Sequence, residues 1–279
     1  MKHFLVVTNK DKDPGLKNSK HIRAYLESAG ADVTIVPDIY KTGIDQSKLP
    51  KNIECAIALG GDGTILQLSR ALRGLYIPMI GVNLGHLGFL AEIEVSQIDH
   101  MLDCLLHDCY HIEKRMMIRG QVIHEDKVVV ESLALNDIVI ARSGFSRVIS
   151  LNLYVNGQLI ENYQADGIII STPTGSTAYS LSAGGPIINP IAQLIEITPV
   201  CAHARLSRSI ILAKDDKISI EIKRLRKSQL EEAYATFDGQ EGIRLSSTDF
   251  VNVEAADDVA RLIKLDDTGF YNILKHKIS

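Results

Sequence analysis

Asp62 stands in the middle of Gly60-Gly61-Asp62-Gly63-Thr64, between an apolar run at 55–59 and a helical pattern that begins at Thr64. Glycines between a strand and a helix let backbone amides close on a phosphate, yet a carboxylate repels phosphate. Two roles fit an acid there. It caps the helix, or it faces a reacting hydroxyl or Mg²⁺ beside a phosphate-cradling loop. No lysine follows the glycines, so this is not a Walker A loop, and the spacing is not that of a G-x-G-x-x-G fingerprint.

Three further segments carry residues able to do chemistry. In "VNLGHLGFLAEI", 82–93, glycines Gly85 and Gly88, with Gly81 just before, put flexible backbone after a strand, where α/β sheets bind ligands. His86 by itself reads as structural. In "ADGIIISTPTGSTAYSLSAGGPIINP", 165–190, a short apolar strand opens into Ser171, Thr172, Thr174, Ser176, Thr177, Tyr179, Ser180 and Ser182. So many hydroxyls suit a polar ligand, with Tyr179 available to stack on a base. The plainer alternative is a loop with Ser/Thr turn chemistry. Asn136 and Asp137, in "LALNDIVI", are adjacent polar residues in an otherwise apolar strand pattern. Buried without partners they would be costly; an amide beside a carboxylate can hold a ribose diol.

The elements that must position these residues follow from hydrophobic period. "HFLVVTN", "DVTIVPD", "ECAIALG" and "IPMIGVN" read as strands. Between them Ile22, Tyr25, Leu26 and Ala29, and then Ile65, Leu68 and Leu72, recur at helical spacing. Ser96 and Asp99 resemble a capping box ahead of Ile98, Met101, Leu102 and Leu105. Alternation of this kind implies a mostly parallel sheet covered by helices. After about residue 114 the period changes to 2, in "KVVVESLALNDIVIAR", "SLNLYVNGQLIENY" and "DKISIEIKR". Asn156-Gly157 is a hairpin signal of type I′. Phe270, Ile273 and Leu274 mark one short terminal helix. The predicted architecture is an α/β domain over 1–114 followed by an antiparallel all-β domain over 115–253, without internal repeats.

Composition narrows the function classes. The chain has 279 residues, 46% of them hydrophobic, enough to bury a sizeable core. A formal charge of −4 without a long basic run points away from nucleic acid. The basic cluster at 222–229 reads as a solvated hairpin tip. No apolar stretch is long enough to cross a membrane, and the start turns polar too soon for a signal peptide. The expected location is the cytoplasm. The cysteines Cys55, Cys104, Cys109 and Cys201 have no C-x-x-C spacing and read as reduced core thiols; no HExxH is present.

Taken together, "GGDGT", "NLGHLGFL", "LND", "ADGIIISTPTGSTAYSLSAGGP" and "TFDGQEG" resemble the NAD kinase family over nearly the whole chain. "GGDGT" alone is shared with phosphofructokinases and with diacylglycerol and sphingosine kinases. The resemblance implies transfer of phosphate from ATP to the 2′-hydroxyl of the adenosine ribose of NAD, with a divalent cation, most simply Mg²⁺. It also implies a C-terminal tail, 254–279, that returns to the first domain, and a homo-oligomer, commonly a tetramer, whose NAD sites draw on neighbouring subunits.

By the same resemblance, Asp62 matches the general base, and Gly60, Gly61, Gly63 and Thr64 the ATP-phosphate loop. Asn136 and Asp137 match the pair that holds the adenosine ribose, although Glu is the commoner partner of that Asn. Thr174, Thr177, Ala178, Tyr179 and Ser182 match adenine-side contacts, Phe89 the segment lining the adenine pocket, and Asp166 an acid near the nicotinamide end. Gln240 occupies a position where some relatives carry His. Two other readings stay open: a lipid or sugar kinase sharing only "GGDGT", and an NAD(P)-binding regulator without catalysis. The hydroxyl cluster speaks against the first and Asp62 against the second.

Overall fold

The computed structural model describes residues 1–85, 88–144, 148–223, 233–240, 242–265 and 270–278. The chain forms two compact units: Met1–Arg115 together with Val259–Ser279, and Met116–Asp258. His86 and most of the basic cluster at 222–229 lie outside the described residues.

The first unit alternates β1 (His3–Thr8), α1 (Lys17–Ser28), β2 (Asp32–Pro37), α2 (Ile39–Thr42), β3 (Cys55–Gly60), α3 (Asp62–Ala71), β4 (Met79–Asn83), a two-residue β5 (Ile93–Glu94) and α4 (Ile98–Leu106). The strands pair in parallel in the order β2-β1-β3-β4. Every residue of β3 is buried, as expected of a parallel strand covered on both faces. α4 buries Ile98, Met101, Leu102 and Leu105, one stripe at i, i+3, i+4 and i+7. Truncating a fully buried member such as Leu102 to Ala would cost about 2–5 kcal/mol.

Two boundaries differ from expectation. α3 begins at Asp62, before Thr64. The reach-back ahead of α4 is made by Gln97, whose Oε1 accepts the Glu94 N–H at 3.0 Å, and not by Ser96 and Asp99. A 3₁₀ turn over Val95–Gln97 precedes the helix and moves its start past Ser96.

The second unit is antiparallel β, as predicted. It holds most of β6 (His111–His124), then β7 (Lys127–Ala134), β8 (Asp137–Arg142), β9 (Ile149–Val155), β10 (Gln158–Ala165), β11 (Gly167–Ser171), the short α5 (Tyr179–Ser182), β12 (Leu194–Val200), β13 (Ile210–Ala213), β14 (Ile218–Lys223), β15 (Ala233–Phe237), β16 (Ile243–Leu245) and the start of β17 (Phe250–Lys264). One sheet has the order β13-β12-β11-β8-β15-β16. β10, β9, β14 and β17 pair antiparallel in that order, and β6 pairs with β7. Inward side chains such as Leu151, Leu153, Ile168, Ile170 and Ile220 share one core. At the β9–β10 turn Asn156 and Gly157 take φ of 52° and 78°, the two positive angles a type I′ turn needs. The strand pattern expected across 127–142 is interrupted: Leu135 and Asn136 form a bend between β7 and β8.

β17 ends in the first unit, where Leu262 pairs in parallel with Met79 of β4. α6 (Phe270–Ile278) follows, with the Phe270 ring 6.5 Å from that of Phe89. The tail therefore returns to the first unit.

Candidate functional site

In the first unit the glycine loop joins β3 to α3. Gly61 is extended at the helix N-cap position and Asp62 is the first helical residue, with no side-chain cap. The carboxylate of Asp62 turns to a neighbouring loop instead. Its Oδ1 accepts the N–H groups of Leu90 and Ala91 at 3.0 and 2.9 Å, and its Oδ2 accepts that of Phe89 at 2.8 Å. The cap reading is thereby overturned. A carboxylate offers about four lone-pair sites, so these bonds leave one, on Oδ2. Gly88 makes the approach possible: a Cβ there would stand 1.8 Å from Oδ1 of Asp62. The two glycine motifs thus form one structure, which neither motif announces alone.

Thr64 is fully buried, its hydroxyl 3.2 Å from that of Tyr40. Gly60 is buried, whereas Gly61 and Asp62 are partly exposed and Gly63 is open to solvent. Phe89 supplies a backbone donor to Asp62 and packs its ring near Phe270. A cavity of about 410 Å³ beyond the end of β4 is lined by Asn83, Leu84, Gly85, Glu94, Val95 and Ser96.

In the second unit the bend at Leu135-Asn136 is held by a residue the motif reading did not single out. The Asp238 carboxylate accepts the N–H groups of Leu135, Asn136 and Asp137 at 3.0, 2.7 and 3.2 Å. Asp238 returns its own N–H to the Asp137 carbonyl at 2.9 Å. An acid followed by glycine in "TFDGQEG" is the only signal the sequence offers for this clip. Asp137 is buried, and burial together with the charge of Asp238 pushes its carboxyl up to about 7.

The hydroxyl segment packs on the same bend. The Thr172 N–H donates to the Asn136 carbonyl at 2.9 Å, and the Thr172 hydroxyl donates to the Leu135 carbonyl. Gly175 fits only as glycine, because a Cβ would stand 2.1 Å from the Asn136 oxygen. The eight hydroxyls sort into two groups. Ser171, Thr172, Ser176 and Ser180 are fully buried and bonded within the unit, for example Ser176 Oγ to the Pro173 carbonyl at 2.7 Å and to the Ile188 N–H at 3.0 Å. These are struts, a correction to the view of the whole cluster as ligand-facing. Thr174 is also buried. Thr177 and Ala178 are partly exposed, and Tyr179 and Ser182 are open to solvent. Tyr179 is 46% exposed at the start of α5.

Asp166 is not part of this cluster. It precedes β11 while Thr172 follows it, and a five-residue strand spans roughly 17 Å. Arg142 donates Nε–H to the Asp166 carboxylate at 2.6 Å. Gln240 is exposed and belongs to the Asp238 turn through its N–H bond to the Phe237 carbonyl at 3.2 Å.

Among the described residues no three His, Cys, Asp or Glu side chains gather to hold a metal ion. These residues build no cation cage. Cys55 is a buried thiol, pushed up by desolvation, but Cys109 and Cys201 are exposed, so the core-thiol reading does not extend to them.

Residues 6–110 match the family model described as ATP-NAD kinase N-terminal domain, and residues 135–265 that described as ATP-NAD kinase C-terminal domain. The chain is 44% identical over 281 residues to the NAD kinase of Lachnoclostridium phytofermentans, covering 99% of each chain. It is 42% identical over 293 residues to that of Lachnospira eligens, covering 100% of each. Its fold is similar to that of yeast NADH kinase complexed with NADH, at a TM-score of 0.87 and 21% identity over 100% of this chain and 89% of the other. It is also similar to an Archaeoglobus fulgidus NAD kinase in complex with ATP, at 0.77 and 22% over 98% and 97%.

Proposed function

The chain belongs to the NAD kinase family, and on that premise we propose that it transfers the terminal phosphoryl group of ATP to the 2′-hydroxyl of the adenosine ribose of NAD, giving NADP and ADP. The observation that carries this reading is the extent of the relationship: it runs the full length of both chains, through the glycine loop and the hydroxyl segment alike.

The chain's own residues then divide the work. Asp62 takes the proton of the 2′-hydroxyl on its remaining Oδ2 lone pair as that oxygen bonds to the γ-phosphorus and the bond to the ADP oxygen breaks. The three N–H bonds hold the carboxylate in one orientation, so little reorganisation accompanies the transfer. Backbone N–H groups of the first α3 turn, at Gly61 and Gly63, are suited to phosphate oxygens, since the first turn of a helix has no internal partners for them. Asn136 and Asp137 hold the ribose hydroxyls, on a bend kept in shape by Asp238. Tyr179, with Thr177, Ala178 and Ser182, offers exposed contacts for adenine. Thr174 supports the same loop. Asp166 serves the nicotinamide end and Gln240 the neighbouring turn.

The divalent cation that the family implies enters with the nucleotide substrate, as MgATP, and when bound it neutralises phosphate charge. No helix among the described residues is long and apolar enough to cross a membrane, and the reading places the enzyme in the cytoplasm, as a homotetramer.

Incubation of the purified chain with NAD and MgATP, followed by an NADP-specific dehydrogenase, tests the reading. NADP formation is expected. Phosphorylation of a lipid or sugar but not of NAD would favour the broader "GGDGT" kinases, and NAD binding without transfer would favour a regulator.

A further inference from the structure

The first unit's strand order, β2-β1-β3-β4, contains one switch point. From β1 the chain proceeds outward to β2 on one side, and from β3 outward to β4 on the other. In open α/β sheets ligands bind beyond the carboxyl ends of the strands at such a point. The loops that leave β1 and β3 there are residues 9–13 and the glycine loop. The sequence places no lysine after those glycines, but the fold brings one from the other loop.

Lys12 lies with its Nζ 3.5 Å from where a Cβ on Gly61 would stand, and 4.0 Å from that on Gly85. Its backbone is fixed from both sides. The Asn9 N–H bonds to the Leu59 carbonyl of β3 at 2.9 Å, and the N–H groups of Lys12 and Asp13 both bond to the Asn9 carbonyl at 3.0 Å. Asp11 N–H closes on Asn9 Oδ1 at 3.1 Å. Asp13, fully buried, accepts the N–H groups of Asn18 and Ser19 at 2.9 and 3.1 Å and the Ser19 hydroxyl at 2.6 Å. A loop tied at Asn9 and Asp13 presents the residue between them in one place.

Lys12 is exposed and makes no ion pair among the described residues. Of the acids in the two loops, Asp13 spends its oxygens on the Asn18 and Ser19 N–H groups, the Asn18 amide and the Ser19 hydroxyl. Asp62 turns both oxygens to backbone N–H groups, while Asp11 is exposed and makes no ion pair with Lys12 among the described residues. Lys12 also stands beside the N-terminus of α3, which carries partial positive charge. A cation held next to that helix end is unfavourable by itself and becomes favourable when a polyanion joins the two.

Resting on the NAD kinase reading, we propose that Lys12 is the residue that binds the phosphate chain of ATP over the Gly61 loop, supplying from the β1–α1 loop the charge that a Walker-type lysine supplies elsewhere. Lysine fits such a task as a compact charge on a flexible stem. Its geometry serves phosphate oxygens and makes no demand on the base, so inorganic tripolyphosphate should share the dependence.

The test is calorimetric titration of the parent, Lys12→Ala and Lys12→Arg with MgATP, with tripolyphosphate and with NAD, alongside steady-state kinetics and thermal unfolding. For Lys12→Ala the Kd for MgATP and for tripolyphosphate should rise roughly 10- to 100-fold, as expected for loss of a charged hydrogen bond. Lys12→Arg should recover most of that loss, NAD binding should stay within about 2-fold, and thermal unfolding should not move. A parent that phosphorylates NAD while Lys12→Ala binds both polyphosphates as the parent does overturns the assignment. A parent that makes no NADP yet binds MgATP through Lys12 refutes the kinase reading and leaves the assignment standing.

Discussion

The backbone N–H of Phe89 donates to Oδ2 of Asp62 at 2.8 Å, while Oδ1 of the same carboxylate takes the next two amides along the chain. Asp62 is therefore two things at once. It anchors the segment after Gly88, and it leaves one Oδ2 lone pair open, the one to which the proposed mechanism assigns the proton.

That double role shapes the outcome for Asp62→Asn. An amide has one acceptor oxygen, so its NH₂ group must face at least one backbone N–H. Loss of those bonds should lower stability by about 1–3 kcal/mol. If Asp62 is the base, turnover should also fall about 10²- to 10⁴-fold with NAD binding retained. Recovery at raised Mg²⁺ would make it a metal ligand, and near-normal turnover would exclude the proposed mechanism. Kinetics, NAD titration and thermal unfolding on this variant separate the cases.

Asp137 should make stability depend on pH. Its carboxyl is raised to about 7 in the folded chain by burial and the charge of Asp238, against about 3.9 when unfolded. Between these values the folded state binds more protons than the unfolded one, so stability falls as pH rises from about 4 to 7, and the penalty is complete above 7. Asp137→Asn removes the ionisation. At pH 8 it should be the more stable protein, by about 1–3 kcal/mol, and the gap should close towards pH 4. Parallel urea unfolding curves across that window would show it; a gap independent of pH would contradict the shift.

Tyr179 is 46% exposed, so its ring contributes little to the fold as it stands. Tyr179→Ala should leave thermal unfolding nearly unchanged and weaken NAD binding by roughly 1–2 kcal/mol, the order of an aromatic contact plus buried area. Its effect on turnover at saturating NAD should be smaller. An unchanged Michaelis constant for NAD would mean that the ring does not touch the base.

Excess chelator should abolish turnover, because a divalent cation neutralises the phosphate charge of the nucleotide during transfer. NAD binding measured by calorimetry should survive the same treatment. Full activity in chelator would remove the cation from the reaction.

Sedimentation should show a homo-oligomer, and dilution to monomers should lower activity if neighbouring subunits complete the sites. A fully active monomer would refute that sharing.

Much of this protein is legible from its residues alone, and the reason is that the deciding forces are local. Buried β3 is an apolar run, α4 repeats its apolar stripe at helical spacing, and Asn156-Gly157 can hold two positive φ angles. Each depends on residues a few positions apart, so the change from α/β to antiparallel β can be read from period, and the glycine loop from its place between strand and helix. What the tertiary structure decided are the partners that lie far away in sequence. Whether Asp62 caps its helix or faces elsewhere stays open until the order of β3 and β4 brings residues 89–91 to its carboxylate. Asp238 is an acid before a glycine until β15 pairs with β8 and carries it to the Asn136 bend. Hydroxyls in one segment look alike, yet packing turns Ser171, Thr172, Ser176 and Ser180 inward and leaves Tyr179 and Ser182 in solvent. Lys12 and Gly61 meet because β1 and β3 are neighbours in the sheet. Sheet order and close packing select such contacts, and neither is a property of any short stretch of chain.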